Sequence, residues 1–195
     1  TKALKEAGVW RAGDALQPAA TGVRITGGAD APTVTDGPFA EGAEVAGGYY
    51  VFEADNLDEA LALARDVPAA KYGAVEVWPM VHFSPARAPL TSDSWLALLL
   101  EPPESTVEPG SPQWDEGIKA HVEFGKFAGD RAVGGAPLHR PSTATTVRIR
   151  DGEVLLTDGP YVAGAEVANG FYYINAADRD EAIKIASMIP ATTVE

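Results

Sequence analysis

The chain has 195 residues, 46% hydrophobic and 22% charged, a composition typical of folded globular proteins rather than disordered ones. Its formal net charge of -13 would repel a phosphate backbone, so we expect no nucleic-acid partner. It contains no cysteine, which excludes disulfides, thiolate catalysis and Cys-ligated zinc and fits a reducing compartment, with the cytoplasm as the default location.

The first predicted elements are the end of a helix and a β-hairpin. Residues 2–7 have the pattern of a helix's last turns, and Val-Arg-Ile at 23–25 belongs to a hairpin that turns at Gly27-Gly28. The tetrapeptide Asp-Gly-Pro-Phe follows at 36–39. After it, residues 48–53 are rich in aromatic and β-branched side chains, which predicts a buried strand.

A helix is predicted next, because Asn56 is a favoured N-cap and Glu59 stands three positions later, where the two can bond first-turn amides reciprocally. Its predicted buried stripe consists of Leu57, Leu61 and Ala64. Pro68 ends it, since proline lacks the amide hydrogen and clashes with the preceding turn. A strand at 74–79 and a proline-containing linker at 83–93 follow.

The second half begins with an apolar strand at 95–100. This is the longest apolar run in the chain and is far shorter than the roughly 20 residues that cross a bilayer, so we expect no membrane segment. A helix opened by Ser111 and Pro112 then runs to about residue 128. A hairpin pairs 145–150 with 154–157 through a favoured Asp-Gly turn.

The tetrapeptide returns as Asp-Gly-Pro-Tyr at 158–161, before a strand at 170–175 and a helix capped by Asp178 with Glu181. Shifting the chain by 122 residues aligns 35–64 with 157–186, and 16 of these 30 positions are identical. Two copies of one supersecondary unit indicate a pseudo-dimer rather than a solenoid, which needs about three repeats or more.

The combined element order is β-α-β-β-β-α-β, which predicts an α+β fold of the ferredoxin-like split βαβ type with an added hairpin. We predict a first module at 1–82, a linker at 83–93 and a second module at 94–195. The first module lacks the opening strand and most of the first helix, and the second lacks the closing strand. We therefore expect a native chain that is longer at both ends.

The motifs at 36–39, 47–50 and 58–60 resemble, in this order and spacing, the YCII-related family, also called the DGPF family. The resemblance covers nearly the whole chain twice, and Tyr161 stands where the family has Phe. It implies the fold of the dimeric α+β barrels, in which two modules pack sheet to sheet around a cleft. A tandem chain would make that pair internally.

The resemblance also implies two kinds of function. One relative is a dehydrochlorinase of a chlorinated hydroxyquinol for which a His/Asp pair has been proposed, which suggests a cofactor-free lyase or isomerase. Other members are associated with sigma factors, which suggests a ligand-binding or regulatory module. A third reading is a structural protein that assembles as a homo-oligomer.

By position, the His/Asp pair corresponds to His121 and Asp158, with Asp36 as the equivalent in the first copy. A carboxylate beside an imidazole would raise its basicity, as a general base requires. His121 lies on the apolar stripe Trp114, Ile118, Val122 and Gly125, which predicts that it faces the sheet, where a satisfied core histidine is the alternative. The aspartates are equally natural as turn formers.

Four further charged residues recur in both copies. Arg24 and Arg148 lie on the hairpins, on the face opposite their neighbours, where they would bind an anionic ligand, face solvent or form a salt bridge. Glu44 and Glu166 are second carboxylates for the site or surface loop ends. The aromatic residues at 49–50 and 171–173 favour packing in the core and between the copies over a substrate box, and one residue of each adjacent pair must point away from its own core. No phosphate loop or metal-ligand spacing is present, so we predict no cofactor or metal.

Overall fold

The computed structural model describes residues 2–37, 45–161 and 166–195. The chain folds as a mixed α+β protein with antiparallel sheets. The helices are α1 (Lys2–Glu6), α2 (Leu57–Arg65), α3 (Ala69–Tyr72), α4 (Pro112–Ala128) and α5 (Arg179–Ala186). The first-half strands are β1 (Trp10–Ala15), β2 (Val23–Thr26), β3 (Thr33–Asp36), β4 (Gly48–Phe52) and β5 (Val75–Val77). The second-half strands are β6 (Ser94–Glu101), β7 (Ala132–Pro137), β8 (Thr145–Arg150), β9 (Glu153–Asp158), β10 (Val167–Asn175) and β11 (Thr193–Val194).

The sheets combine strands from both halves of the chain. A six-stranded sheet has the order β3-β2-β11-β6-β10-β7, a three-stranded sheet has the order β5-β8-β9, and β1 pairs with β4. Each half therefore gives its hairpin to the other, because β2 pairs with β11 and β8 pairs with β5. This exchange joins the two halves through backbone hydrogen bonds as well as side-chain packing.

The closing strand of the second copy is present, and our expectation that it is absent was wrong. Val194 of β11 lies opposite Ile25, and Val75 of β5 lies opposite Val147. Ile25 and Val147 are equivalent at the shift of 122, so β11 and β5 occupy equivalent places. The second strand escaped prediction because only two residues of it are regular.

The sequence reading also missed one strand in each half, β1 and β7. The second half runs β-α-β-β-β-β-α-β, with one strand more than predicted. Both strands carry glycines with low strand propensity. These glycines are needed where the neighbouring backbone comes close: a Cβ at Gly13 would lie 2.9 Å from the Tyr49 carbonyl oxygen, and one at Gly135 would lie 2.2 Å from that of Phe171.

The helix ends follow the predicted chemistry. Asn56 Oδ1 accepts from the Glu59 amide at 3.0 Å, and Asp178 Oδ1 accepts from the Glu181 amide at 2.9 Å. The two glutamates reach back to amides one residue before the caps, at Asp55 and Ala177. These capping boxes are confirmed. After α2, Pro68 is followed by the short helix α3, which we did not predict.

The main core lies on the helix side of the six-stranded sheet, where α4 and α5 pack. Its buried residues include Ile25, Leu99, Phe124, Ile174 and Ile185. A smaller core in the first half joins Leu61 and Ala64 of α2 to Val147 of the exchanged hairpin. The core thus depends on contacts between the halves.

Two predicted buried stripes need correction. Leu57 of α2 is 47% exposed, so that stripe consists of Leu61 and Ala64. On α4, Ile118 and Val122 are 44% and 50% exposed, and the helix packs through Trp114, His121, Phe124 and Ala128. Both faces of α4 carry apolar residues at helical spacing, so periodicity alone did not decide which one is buried.

The segment between β5 and β6 follows the edge of β7. Ser84 exchanges two backbone hydrogen bonds with Gly135, at 2.9 and 3.0 Å, and the Arg87 amide donates to the Val133 carbonyl at 2.8 Å. The linker thus covers a strand edge that would otherwise be open. Across the described ranges, no helix is both long and apolar enough to cross a membrane.

Candidate functional site

The face of β10 that points away from α4 contacts the first half. Tyr49 of β4 lies with its ring centroid 6.3 Å from that of Phe171 and 5.7 Å from that of Tyr173. Strand alternation sends Tyr172 to the other side, where it meets the Phe124 ring edge to face at 5.0 Å. Aromatic packing between the copies is thus present at Tyr49, Phe171 and Tyr173, whereas Tyr172 packs in the core of its own half.

The aromatic contact between the halves brings two phenols together. Tyr173 is 2% exposed, and its hydroxyl interacts with that of Tyr49. Burial raises the pKa of Tyr173 and also that of Tyr49 above the ordinary value of 10.0. Both phenols therefore stay neutral at physiological pH and remain hydrogen-bond donors.

Arg24 of β2 lies in a cluster of carboxylates on this same face of the six-stranded sheet. Its Nε donates to Glu195 Oε1 at 2.7 Å, and its Nη1 lies 3.6 Å from Glu166 Oε2. Glu166 also accepts from the Thr193 hydroxyl. The structure therefore brings together two predicted binding residues, Arg24 and Glu166. The protein's own carboxylates pair with the Arg24 guanidinium, where a ligand was expected.

Arg148 of β8 shares the sequence Val-Arg-Ile with Arg24, but it lies two residues further along its strand, because Arg24 corresponds to Thr146 at the shift of 122. Its Nε is buried and has no hydrogen-bond partner among the described residues. The guanidinium carbon lies 5.3 Å from the ring centroid of Tyr161, the last residue of the second tetrapeptide. In the described ranges, no carboxylate pairs with Arg148, so this guanidinium keeps its hydrogen-bonding capacity.

Glu76 of β5 takes the place beside β8 that Glu195 takes beside β2. It follows Val75 in β5 as Glu195 follows Val194 in β11, so it is the equivalent of the residue that pairs with Arg24. Glu76 instead accepts from the Trp78 indole at 2.8 Å and from the Tyr161 amide at 2.7 Å. Because Glu76 lies opposite Thr146 and these two bonds occupy its carboxylate, Arg148 has no counterpart of Glu195 among the described residues.

The two signature aspartates also differ between the copies. Asp36 pairs with Arg179 at the start of α5. Asp158 is exposed at the end of β9 and makes no hydrogen bond or ion pair with any described residue; position 57, the equivalent of Arg179, is leucine. Among the described residues, neither aspartate side chain accepts a hydrogen bond from a turn amide. The adjacent glycine amides are bonded to the chain instead, that of Gly37 to the Gly22 carbonyl at 3.0 Å and that of Gly159 to the Ala144 carbonyl at 2.8 Å.

His121 lies on the helix side of β10, away from the contact between the halves. Its Nδ1 is 2.9 Å from the Tyr172 hydroxyl. Burial lowers the pKa of His121 below the ordinary 6.5, and the Glu101 carboxylate opposes this shift in part. Among the described residues, no hydrogen bond or ion pair joins His121 to Asp158. The imidazole is therefore neutral and satisfied by a phenol, as a core histidine would be.

Two sequence-predicted features lie outside the described residues: Glu44 and the aromatic residue Phe39 of the first tetrapeptide. Sequence reasoning missed Glu195 as the partner of Arg24, Tyr172 as the partner of His121, and Glu76 as the acceptor from the Tyr161 amide. A signal for the glutamates was present, because Val-Glu occurs both at 75–76 and at 194–195. In the part of the chain with described side chains, no three of the His, Asp and Glu residues are grouped as a metal site.

Comparison with known proteins agrees with the internal repeat. The family model of the YCII-related domain matches the chain twice, over residues 1–84 and 96–194. An uncharacterized protein of Rhizobium meliloti (strain 1021) is 37% identical over 76 residues, which are 38% of this chain and 61% of that protein. The chain thus spans about three fifths of the length of this curated relative.

Proposed function

This chain belongs to the YCII-related domain family as a member with two tandem modules, and from this premise we propose that it binds a small organic anion on Arg148. The observation that carries the proposal is the contrast between the two arginines of the repeated Val-Arg-Ile sequence. Arg24 is held by Glu195 and Glu166, whereas the Nε of Arg148 is buried and has no partner among the described residues. A buried donor without a partner costs roughly 1–3 kcal/mol, which a bound acceptor would recover.

The chemistry of the site favours a carboxylate or another planar oxyanion. A guanidinium presents parallel N–H groups that match the two oxygens of a carboxylate, and stacking on the Tyr161 ring would hold its plane. The Arg24 cluster supplies an internal template, because there Glu195 accepts from Nε. The net charge of -13 disfavours anions in general, so we expect affinity to depend on this one contact.

Binding can be measured by calorimetry against a panel of small monocarboxylates and dicarboxylates, with phosphate and sulfate included. Arg148→Gln should abolish binding and Arg148→Lys should weaken it, because lysine keeps the charge but loses the two-pronged geometry. Arg24→Gln is the matched control and should bind as the unaltered protein does. Equal affinity of Arg148→Gln and the unaltered protein would refute the proposal.

A second proposal is proton transfer by His121, as in a lyase or isomerase. What favours it is that burial keeps the imidazole neutral at pH 7, so one ring nitrogen can accept a proton. In D2O, a bound ligand should then exchange a carbon-bound hydrogen at a rate that His121→Asn reduces. Absence of exchange in every ligand that binds would leave His121 with its packing role alone.

We also propose that the two modules form an internal pseudo-dimer of the dimeric α+β barrel type. Reciprocal hairpin exchange and the contact of Tyr49 with Phe171 and Tyr173 support this architecture. The two arginines lie on strands that the halves exchange, so ligand binding and assembly of the halves would depend on the same contacts. After limited proteolysis in the 83–93 linker, the two fragments should stay associated near pH 7 and elute together in size-exclusion chromatography, because the exchanged hairpins still join them.

A further inference from the structure

One strand position in the first half is unfilled. In the second half, β6 lies between β11 and β10, with Leu99 opposite Val194 and Leu98 opposite Phe171. The equivalent first-half strands are in different sheets, since β5 pairs with β8 and β4 pairs with β1. No described strand joins β5 to β4, so each has one edge without a described partner.

An apolar cavity lies on the helix side of β4. It has a volume of about 220 Å³, and its lining includes Leu4, Tyr50, Leu63 and Val67. At the shift of 122, the last three correspond to Tyr172, Ile185 and Ile189. In the second half these three pack in one core with Ala97 and Leu99 of β6 and with Phe124 of α4. The cavity therefore marks the place that a strand and a helix fill in the second half.

The short helix α1 shows how the chain would enter this place. It ends in Lys-Glu-Ala-Gly at 5–8, and α4 ends in Lys-Phe-Ala-Gly at 126–129. Both glycines have positive φ, 75° for Gly8 and 57° for Gly129, as at a helix C-terminus that turns into a following strand. α1 thus corresponds to the last turn of α4, and β1 follows it as β7 follows α4.

We propose that the gap between β4 and β5 is a strand-acceptor site whose occupant is a strand and helix with the pattern of residues 94–122, leading into α1. The strand would run antiparallel to both neighbours and pair with the free edge of each. Two inward apolar side chains, in the places of Ala97 and Leu99, would fill the cavity. This inference rests on the repeat and the sheet order and is independent of the proposed function.

A grafted chain tests the site. In the grafted chain, a copy of residues 94–122 replaces Thr1. Aligning the two Lys-x-Ala-Gly helix ends places residue 122 at position 1, so the grafted helix continues into α1 with its buried face unchanged. Hydrogen exchange of the edge amides of β4 and β5 should slow by about 100-fold or more, because local opening would then require removal of a paired strand. The matched control carries Ala97→Asp and Leu99→Asp in the grafted copy only, and it should exchange like the ungrafted chain.

Equal hydrogen exchange in the grafted chain and its control would overturn the proposal. Protection that occurs only when light scattering shows an oligomer would also overturn it, because a second copy of the chain would then supply the strand. If the graft does not fold, a peptide of residues 94–101 flanked by lysines is titrated into the ungrafted chain. Slower exchange confined to β4 and β5 at saturating peptide supports the site. No change in the exchange of these strands overturns it.

Discussion

Replacing Arg24 or Arg148 by glutamine should have opposite consequences: the first variant should lose stability and keep ligand binding, and the second should keep stability and lose binding. Arg24→Gln leaves Glu195 and Glu166 facing each other without the guanidinium. The side chains are 34%, 26% and 21% exposed for Arg24, Glu195 and Glu166, which places the cluster between surface pairs and fully buried ones. Since those two limits are about 0–1 and 3–5 kcal/mol, we expect a loss of about 2 kcal/mol.

Arg148→Gln should change the free energy of unfolding by less than about 0.5 kcal/mol, because the substitution removes a stacking contact but also an unsatisfied buried donor. Urea unfolding followed by tryptophan fluorescence measures both variants with the same probe. If Arg148→Gln costs as much as Arg24→Gln, then Arg148 has a protein partner, and the reasoning that makes it the open site is wrong.

Three further outcomes are expected from the packing and the titrating groups. Val147→Ala should cost about 2 kcal/mol, since Val147 is 0% exposed against α2, whereas Val154→Ala on an exposed strand should stay within about 0.5 kcal/mol in the same urea assay. Burial lowers the pKa of His121 in the folded protein, so as the pH falls the imidazole is protonated in the unfolded chain before it is protonated in the folded one. The free energy of unfolding should therefore decrease as the pH drops below 6.5. His121→Gln should make this decrease smaller in urea unfolding measured between pH 7 and pH 5. Burial raises the pKa of Tyr172 from 10.0 to about 12, so stability should also fall between these two values, and Tyr172→Phe should reduce the loss seen in alkaline unfolding.

The sequence was a good guide where local chemistry decides structure. Helix caps such as Asn56 and Asp178 bond to amides within a few residues, and the Asp151-Gly152 turn has the positive φ values, 52° and 82°, that its residues favour. The repeat at a shift of 122 predicted two equivalent units, which the family match confirms. In these places the determinants and the structure lie close together in the chain.

It was a poor guide where the partner is distant or where two faces look alike. Strands β1 and β7 use glycine because of close backbone contacts, which no propensity records. The exposed residues Ile118 and Val122 have the same spacing as a buried stripe. Arg24 and Arg148 share the sequence Val-Arg-Ile, yet Arg24 lies opposite Thr35 and Arg148 lies opposite Leu155, so the repeated tripeptide does not place the two side chains alike.

The most direct test of the open anion site is the side-chain Nε–H resonance of Arg148 in a protein labelled with nitrogen-15, followed during titration with a small carboxylate. We predict that this resonance shifts and saturates, while that of Arg24, already bonded to Glu195, stays in place. An Arg148 resonance that stays fixed throughout, or that drifts in parallel with that of Arg24 without saturating, would contradict the assignment.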